Sequence, residues 1–140
     1  MNLNELFRTE VVTVESGSSI ASAARAMQGK NVGAVVVVQD KKPYGMVTDR
    51  DIALRCGTGE VSIDTPVNAI MSSPVVTIWN DQGIFNATQY LRGHKIRRLP
   101  IVDRQDRLVG ILTADDLLGM LARESLNVAQ AFEPALGGNV

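Results

Sequence analysis

Two halves of this sequence carry one pattern, and that duplication limits what the chain can fold into more than any other feature. Adding 64 to the numbering of the first half takes Val12 to Val76, Thr13 to Thr77, Val14 to Ile78, Ile20 to Ile84, Ala23 to Ala87, Met27 to Leu91, Gly29 to Gly93 and Val32 to Ile96. Beyond residue 40 the shift becomes 65, pairing Gly45 with Gly110, Val47 with Leu112, Thr48 with Thr113, Asp51 with Asp116 and Ile52 with Leu117. The extra residue falls where Asp40-Lys41-Lys42-Pro43 faces Arg104-Gln105-Asp106-Arg107, polar turns that tolerate a change of length.

The same elements are legible in both halves. Residues 11–14 and 75–78 are rich in β-branched side chains and read as strands. A helix follows each, with Ser18 and Asp81 as candidate N-caps. In the first helix Ile20, Ala23, Ala24 and Met27 recur at helical spacing and give one apolar face, and Gly29 and Gly93 stand where a helix stop is expected. Residues 34–38 and 99–102 are apolar without alternation, the pattern of a strand covered on both faces. After the turn, residues 44–47 and 108–112 read as a third strand, and a short helix starts at Thr48 or Thr113.

Each half is therefore β-α-β-β-α, an α/β (α+β) fold. A half of about 60 residues buries little surface alone, so the two are expected to pack through their sheets about a pseudo-twofold axis. The expected organisation is repeat 1 over residues 6–58, a linker over 59–70, repeat 2 over 71–124, and a tail over 125–140 that is poorly ordered or docks on a neighbour.

Composition narrows the function. Fourteen Lys+Arg against fifteen Asp+Glu give a net charge of -1, which supplies no field for nucleic acid or an anionic membrane. The opening residues lack a secretory pattern, and no stretch approaches the roughly 18 apolar residues of a membrane span, so a cytoplasmic location is expected. A single cysteine, Cys56, excludes an intramolecular disulfide and a CxxC pair. His94 is the sole histidine and has no partner at metal-ligand spacing, and no nucleophile elbow, Walker loop, HExxH or dinucleotide fingerprint occurs. These readings point away from an enzyme and from a required cofactor or metal.

Two segments carry a recognisable signature: Gly45-Met46-Val47-Thr48-Asp49-Arg50-Asp51 and Gly110-Ile111-Leu112-Thr113-Ala114-Asp115-Asp116. Both resemble the Gly-x-x-Thr-x-x-Asp element that ends a CBS (cystathionine-β-synthase-type) repeat. Ile96-Arg97-Arg98-Leu99-Pro100-Ile101-Val102-Asp103 is similar to the strand that precedes it, and Met71-Ser72-Ser73-Pro74-Val75-Val76-Thr77 to the approach to a second repeat. The resemblance spans residues 6–123 and suggests a stand-alone tandem pair, or Bateman module.

Each Thr-x-x-Asp can be a helix-capping box, with the acid also favoured by the helix dipole. Each can also hold a ribose, the carboxylate accepting from both hydroxyls of the diol, and the two roles can coexist. The resemblance implies that an adenosine-containing ligand (AMP, ADP or ATP, with S-adenosylmethionine or NAD as related possibilities) is held by Thr113 and Asp116, and by Thr48 and Asp51. It implies composite pockets, with Thr13, Val32 and Gly33 facing Asp116, and Thr77 and Ile96 facing Asp51.

Phosphate needs a cation away from the ribose carboxylate, and Arg97 and Arg98 fit that need because their forks match phosphate oxygens. The first repeat has Gly33 and Ala34 at those positions, which ranks the Thr113/Asp116 site first and places phosphate binding at Thr48/Asp51 in doubt. The resemblance further implies a homodimer, a flat disc of four repeats, with Ile52-Ala53-Leu54 and Leu117-Leu118-Met120-Leu121 as candidate contacts, and a regulated protein partner. The competing reading is a ligand-independent interaction or dimerisation module.

Overall fold

The computed structural model describes residue 3 and residues 7–136. Its elements run β1 (Thr13–Glu15), α1 (Ile20–Lys30), β2 (Ala34–Gln39), β3 (Lys42–Thr48) and α2 (Asp49–Gly57). A short 3-10 turn (Val67–Ala69) leads to β4 (Ile78–Trp79), α3 (Ile84–His94), β5 (Arg98–Val102), β6 (Leu108–Thr113) and α4 (Ala114–Leu136). Two three-stranded sheets result, ordered β1-β2-β3 and β4-β5-β6. In each the first pairing is parallel and the second antiparallel, with a register shift at Val37/Val38 in one and Ile101/Val102 in the other. The 64-residue shift thus reaches down to the same irregularity.

The unalternated valines of β2 are explained by burial on both faces. Val35 and Val37 point into a core with Ile20, Ala23, Met27 and Val47, while Val36 and Val38 are buried on the opposite face. In β5, Leu99 and Ile101 face the helices, and Pro100 and Val102 occupy the other side. These second faces turn toward the companion repeat, and the Leu108 N–H donates to the Lys41 carbonyl across the divide at 2.9 Å.

The repeats also exchange the segments that precede them. Leu3, fully buried, and Phe7 belong to the core of the second repeat, whereas Val67, Ile70 and Met71 belong to the core of the first. Arg8 pairs with Ile111 of β6 and Ser72 with Met46 of β3, both as isolated antiparallel bridges. The stretch between the repeats is held against α1 as well: Ile20 and Ala21 N–H groups donate to the carbonyls of Thr65 and Ile63 at 2.8 and 2.9 Å.

Three local expectations are corrected. The glycines expected to stop α1 and α3 lie inside them, and the stops are Asn31 and Lys95, both left-handed with φ of 53° and 54°. The N-caps are Ser19, whose Oγ accepts from the Ser22 N–H at 3.1 Å, and Gly83, which has no side chain to offer; Asp81 instead pairs with Arg104. The last helix is not short. It runs on to residue 136, and the extension past residue 124 is favoured by Ala122, Arg123, Glu124, Leu126, Ala129, Gln130 and Ala131, good helix formers in a stretch, residues 120–133, without glycine or proline.

Candidate ligand site between the repeats

The two Thr-x-x-Asp motifs start α2 and α4, and they are built differently. At Thr48 both halves of a capping box are made: the Asp51 N–H donates to Thr48 Oγ1 at 3.1 Å, and Asp51 Oδ2 accepts from the Thr48 N–H at 2.9 Å. At Thr113 the Asp116 N–H donates to Oγ1 at 3.0 Å, but the carboxylate turns to Arg8, whose Nε and Nη2 donate to Oδ1 at 3.1 and 2.7 Å. Asp116 Oδ2 is buried without a hydrogen-bond partner among the described residues.

A cavity of about 270 Å³ opens beside Thr48. Its lining joins Met46 and Thr48 of the first repeat to Pro74, Val75, Val76, Ile96, Arg97 and Arg98 of the second, with Ser72 at the crossing. The apolar side chains form a wall suited to a flat ring, and the arginines put positive charge at one edge. Among the described residues Arg97 is tethered only by an exposed pair with Asp115 at 3.1 Å, a contact too solvated to cost much to break.

The sequence reading groups Arg97 and Arg98 with Thr113 and Asp116, and this grouping is corrected. The main chain of these arginines is next to α4, as the Ala114 N–H donates to the Arg97 carbonyl at 2.8 Å, but their side chains line the Thr48 cavity. The arginines belong to the same repeat as Asp116, and Arg97 keeps its ion pair with Asp115 in the first turn of α4, yet the motif that shares their cavity is Thr48 of the other repeat. Ile96 does meet Thr48 in this cavity; Thr77 instead lines a separate depression with Trp79 and Tyr90. Asp51 holds the box behind Thr48.

On the opposite side of the pseudo-twofold lies a cleft of about 730 Å³, lined by Arg8, Glu10, Val11, Val12, Thr13, Ala26, Gly29, Lys30 and Val32. Thr13 and Val32 share it as expected, but Asp116 lines a neighbouring cavity of about 240 Å³ with Asp115 and Arg123. Arg8 is common to both. Gly33 is tucked against α2, where an added β carbon would lie 3.1 Å from Asp49 Oδ2.

Sequence reasoning missed Arg8, Lys30, Ser72, Val75 and Val76. For the valines the signal was present, since Val11-Val12 and Val75-Val76 are repeat-related and lie just ahead of β1 and β4. Arg8 and Ser72 are also repeat-related, but nothing in one sequence says that each crosses to the other half. Among the described residues no group of His, Cys, Asp and Glu could hold a metal ion, and no helix is long and apolar enough to cross a membrane.

The model of the CBS domain matches residues 3–56 and again 67–123. The chain belongs to the CBS domain family. A CBS domain-containing protein of Bacillus subtilis, YhcV, is 40% identical over 129 residues, covering 91% of each chain. Other relatives are longer: the chain spans 61% of one and 24% of another. The CBS domain protein PAE2072 from Pyrobaculum aerophilum, whose structure is a complex with AMP, is 28% identical with a TM-score of 0.75, over 84% of this chain and 90% of that one. The CBS domain pair of protein MJ0100, crystallised with 5′-methylthioadenosine and S-adenosyl-L-methionine, shares the fold at 23% identity and a TM-score of 0.78, over 89% and 98%.

Proposed function

We propose that this CBS pair is a non-catalytic regulatory module that binds an adenosine-containing ligand, and that the Thr48 cavity is its principal site. The observation that carries the reading is the composition of one cavity, in which a helix-starting threonine of one repeat meets an aliphatic wall and two arginines of the other. The complex of a 28% identical CBS protein with AMP supports the ligand class.

In this reading the adenine ring lies against Val75, Val76 and Ile96. The ribose diol approaches Thr48 and Asp51, whose carboxylate gives one oxygen to the capping box and can accept a hydroxyl on the other. Arg97 and Arg98 take the phosphate. A signal follows only if ligand binds two arrangements of the module unequally. The natural candidate for those arrangements is a homodimer, and Leu54, Leu118 and Leu121 offer exposed apolar surface for it, while Leu117 and Met120 are committed to the core. A regulated protein partner would read the change.

Calorimetric titration tests the site. AMP should bind the wild-type chain, and Arg97→Ala with Arg98→Ala should weaken AMP about tenfold or more while leaving adenosine nearly unchanged, because only the phosphate contacts are lost. Asp51→Ala should weaken both ligands. A thermal-shift panel gives an independent readout, since millimolar ligand against micromolar affinity adds about 4 kcal/mol of stability. No heat and no shift with AMP, ADP, ATP or S-adenosylmethionine would overturn the reading, and turnover of ATP lost in Asp51→Ala would replace it with an enzymatic one.

A further inference from the structure

The two clefts occupy repeat-related positions, yet their cations come from different places. At the Thr48 cavity they are Arg97 and Arg98, and the residue at the crossing is Ser72. At the opposite cleft positions 33 and 34 are glycine and alanine, and the residue at the crossing is Arg8. The docking of that crossing strand does not need an arginine. Arg8 and Ile111 exchange backbone hydrogen bonds of 3.1 and 3.0 Å, and Ser72 and Met46 make the equivalent pair at 3.1 and 2.9 Å with a serine. The Arg8 side chain is therefore an addition to a joint that is complete without it.

That side chain is placed at a decisive point. It occupies Oδ1 of Asp116, the acid of the second Thr-x-x-Asp motif, and leaves Oδ2 buried and, among the described residues, unpartnered. It also lines both the Asp116 cavity and the Thr13–Val32 cleft, so a ligand reaching from one to the other would meet it. The Arg8 side chain is itself 64% exposed, so it can swing without disturbing the core.

We infer that Arg8 is the specificity-determining residue of this second cleft: it closes Asp116 to uncharged or cationic adenosyl ligands and yields it to phosphorylated ones. The inference rests on the adenosyl-ligand reading above. A phosphate offers the guanidinium a new partner, so releasing Asp116 for the ribose costs little. A neutral 5′-thioether, or a sulfonium of the same sign as Arg8, offers none, and the resident ion pair competes with the ribose. Lys30 adds to the positive side of the same cleft, and Glu10 is the acid that lines it.

The test uses the full chain with Asp51→Ala to weaken the Thr48 cavity, titrated with AMP and 5′-methylthioadenosine. Adding Arg8→Ala should weaken AMP about tenfold or more, the loss of a charge-assisted contact. It should strengthen 5′-methylthioadenosine by up to about fivefold, the worth of an exposed ion pair removed from competition. Arg8→Lys should keep most of the AMP preference. Unchanged far-UV circular dichroism in each variant separates these effects from unfolding. A shift of both ligands in one direction by the same factor would overturn the inference. If the wild-type chain binds AMP but the Asp51→Ala background binds nothing, with or without Arg8, the inference falls and the reading of the Thr48 cavity stands; if the wild-type chain binds nothing, both fall.

Discussion

The glycine of each Gly-x-x-Thr-x-x-Asp signature is set by what lies on it. A β carbon on Gly110 would be 2.0 Å from Cδ2 of Phe7 and 2.8 Å from the Arg8 carbonyl oxygen. On Gly45 it would meet Met71 Sδ at 2.6 Å and the Ser72 carbonyl oxygen at 3.0 Å. Both conflicts come from the crossing segment of the other repeat, so the glycine lets a foreign strand approach. Gly110→Ala should cost about 1–3 kcal/mol in urea unfolding, since a ring and a backbone must both move. Gly45→Ala should fall at the low end of that range, because a thioether bends out of the way more easily than a phenyl ring. Coupling supplies the check: in a Phe7→Ala background the penalty of Gly110→Ala should shrink, whereas equal penalties in both backgrounds would refute this account.

At the scale of elements, what was legible in the sequence is what repeats locally. The two helices with apolar faces, the strands buried on both sides and the turns between them follow from periodicity and polarity within a dozen residues, and their pairing followed from the 64-residue shift. Helix ends were less legible, because Asn31 and Lys95 adopt left-handed backbone that a composition rule assigns to Gly29 and Gly93. The crossing segments were not legible at all: Phe7 and Met71 look like ordinary residues before a strand until the other repeat is laid against them. The candidate site suffered from the same cause, since Arg97 and Arg98 belong to the same repeat as Asp116 but line the cavity beside Thr48 of the other.

One contact between elements titrates. Arg104 donates to both carboxylate oxygens of Asp81 at 2.6 and 3.0 Å and lies over the Trp79 ring at 4.0 Å, which ties the β5–β6 turn to the segment before α3. This arginine holds Asp81 below its usual value of 3.8, so the pair stabilises the fold above that pH and the contribution is lost as the pH falls through and below it. The melting temperature of the wild-type chain should exceed that of Asp81→Asn at pH 6, and the gap should narrow progressively as the pH falls below 3.8. A gap that widens on acidification would contradict the assignment.

For the whole molecule, the exchange of leading segments decides how it unfolds. Leu3 is at the N-terminal end of the first repeat but fully buried in the core of the second, and Val67 of the connecting stretch is fully buried in the first. Neither core is complete without a piece supplied from outside its own β-α-β-β-α unit, so the repeats are expected to melt as one cooperative body rather than as two beads. The single tryptophan makes this measurable, because Trp79 is in β4 and reports on the second repeat alone. Leu3→Ala should cost about 2–5 kcal/mol, as removal of a fully buried leucine does when the site cannot collapse. The loss should be the same by Trp79 fluorescence and by far-UV circular dichroism, since coincident transitions by different probes mark an all-or-none change. If the fluorescence midpoint falls while a circular dichroism phase persists at the wild-type midpoint, the second repeat has come apart alone, and a change at one cleft would then have no rigid path to the other through the crossed segments.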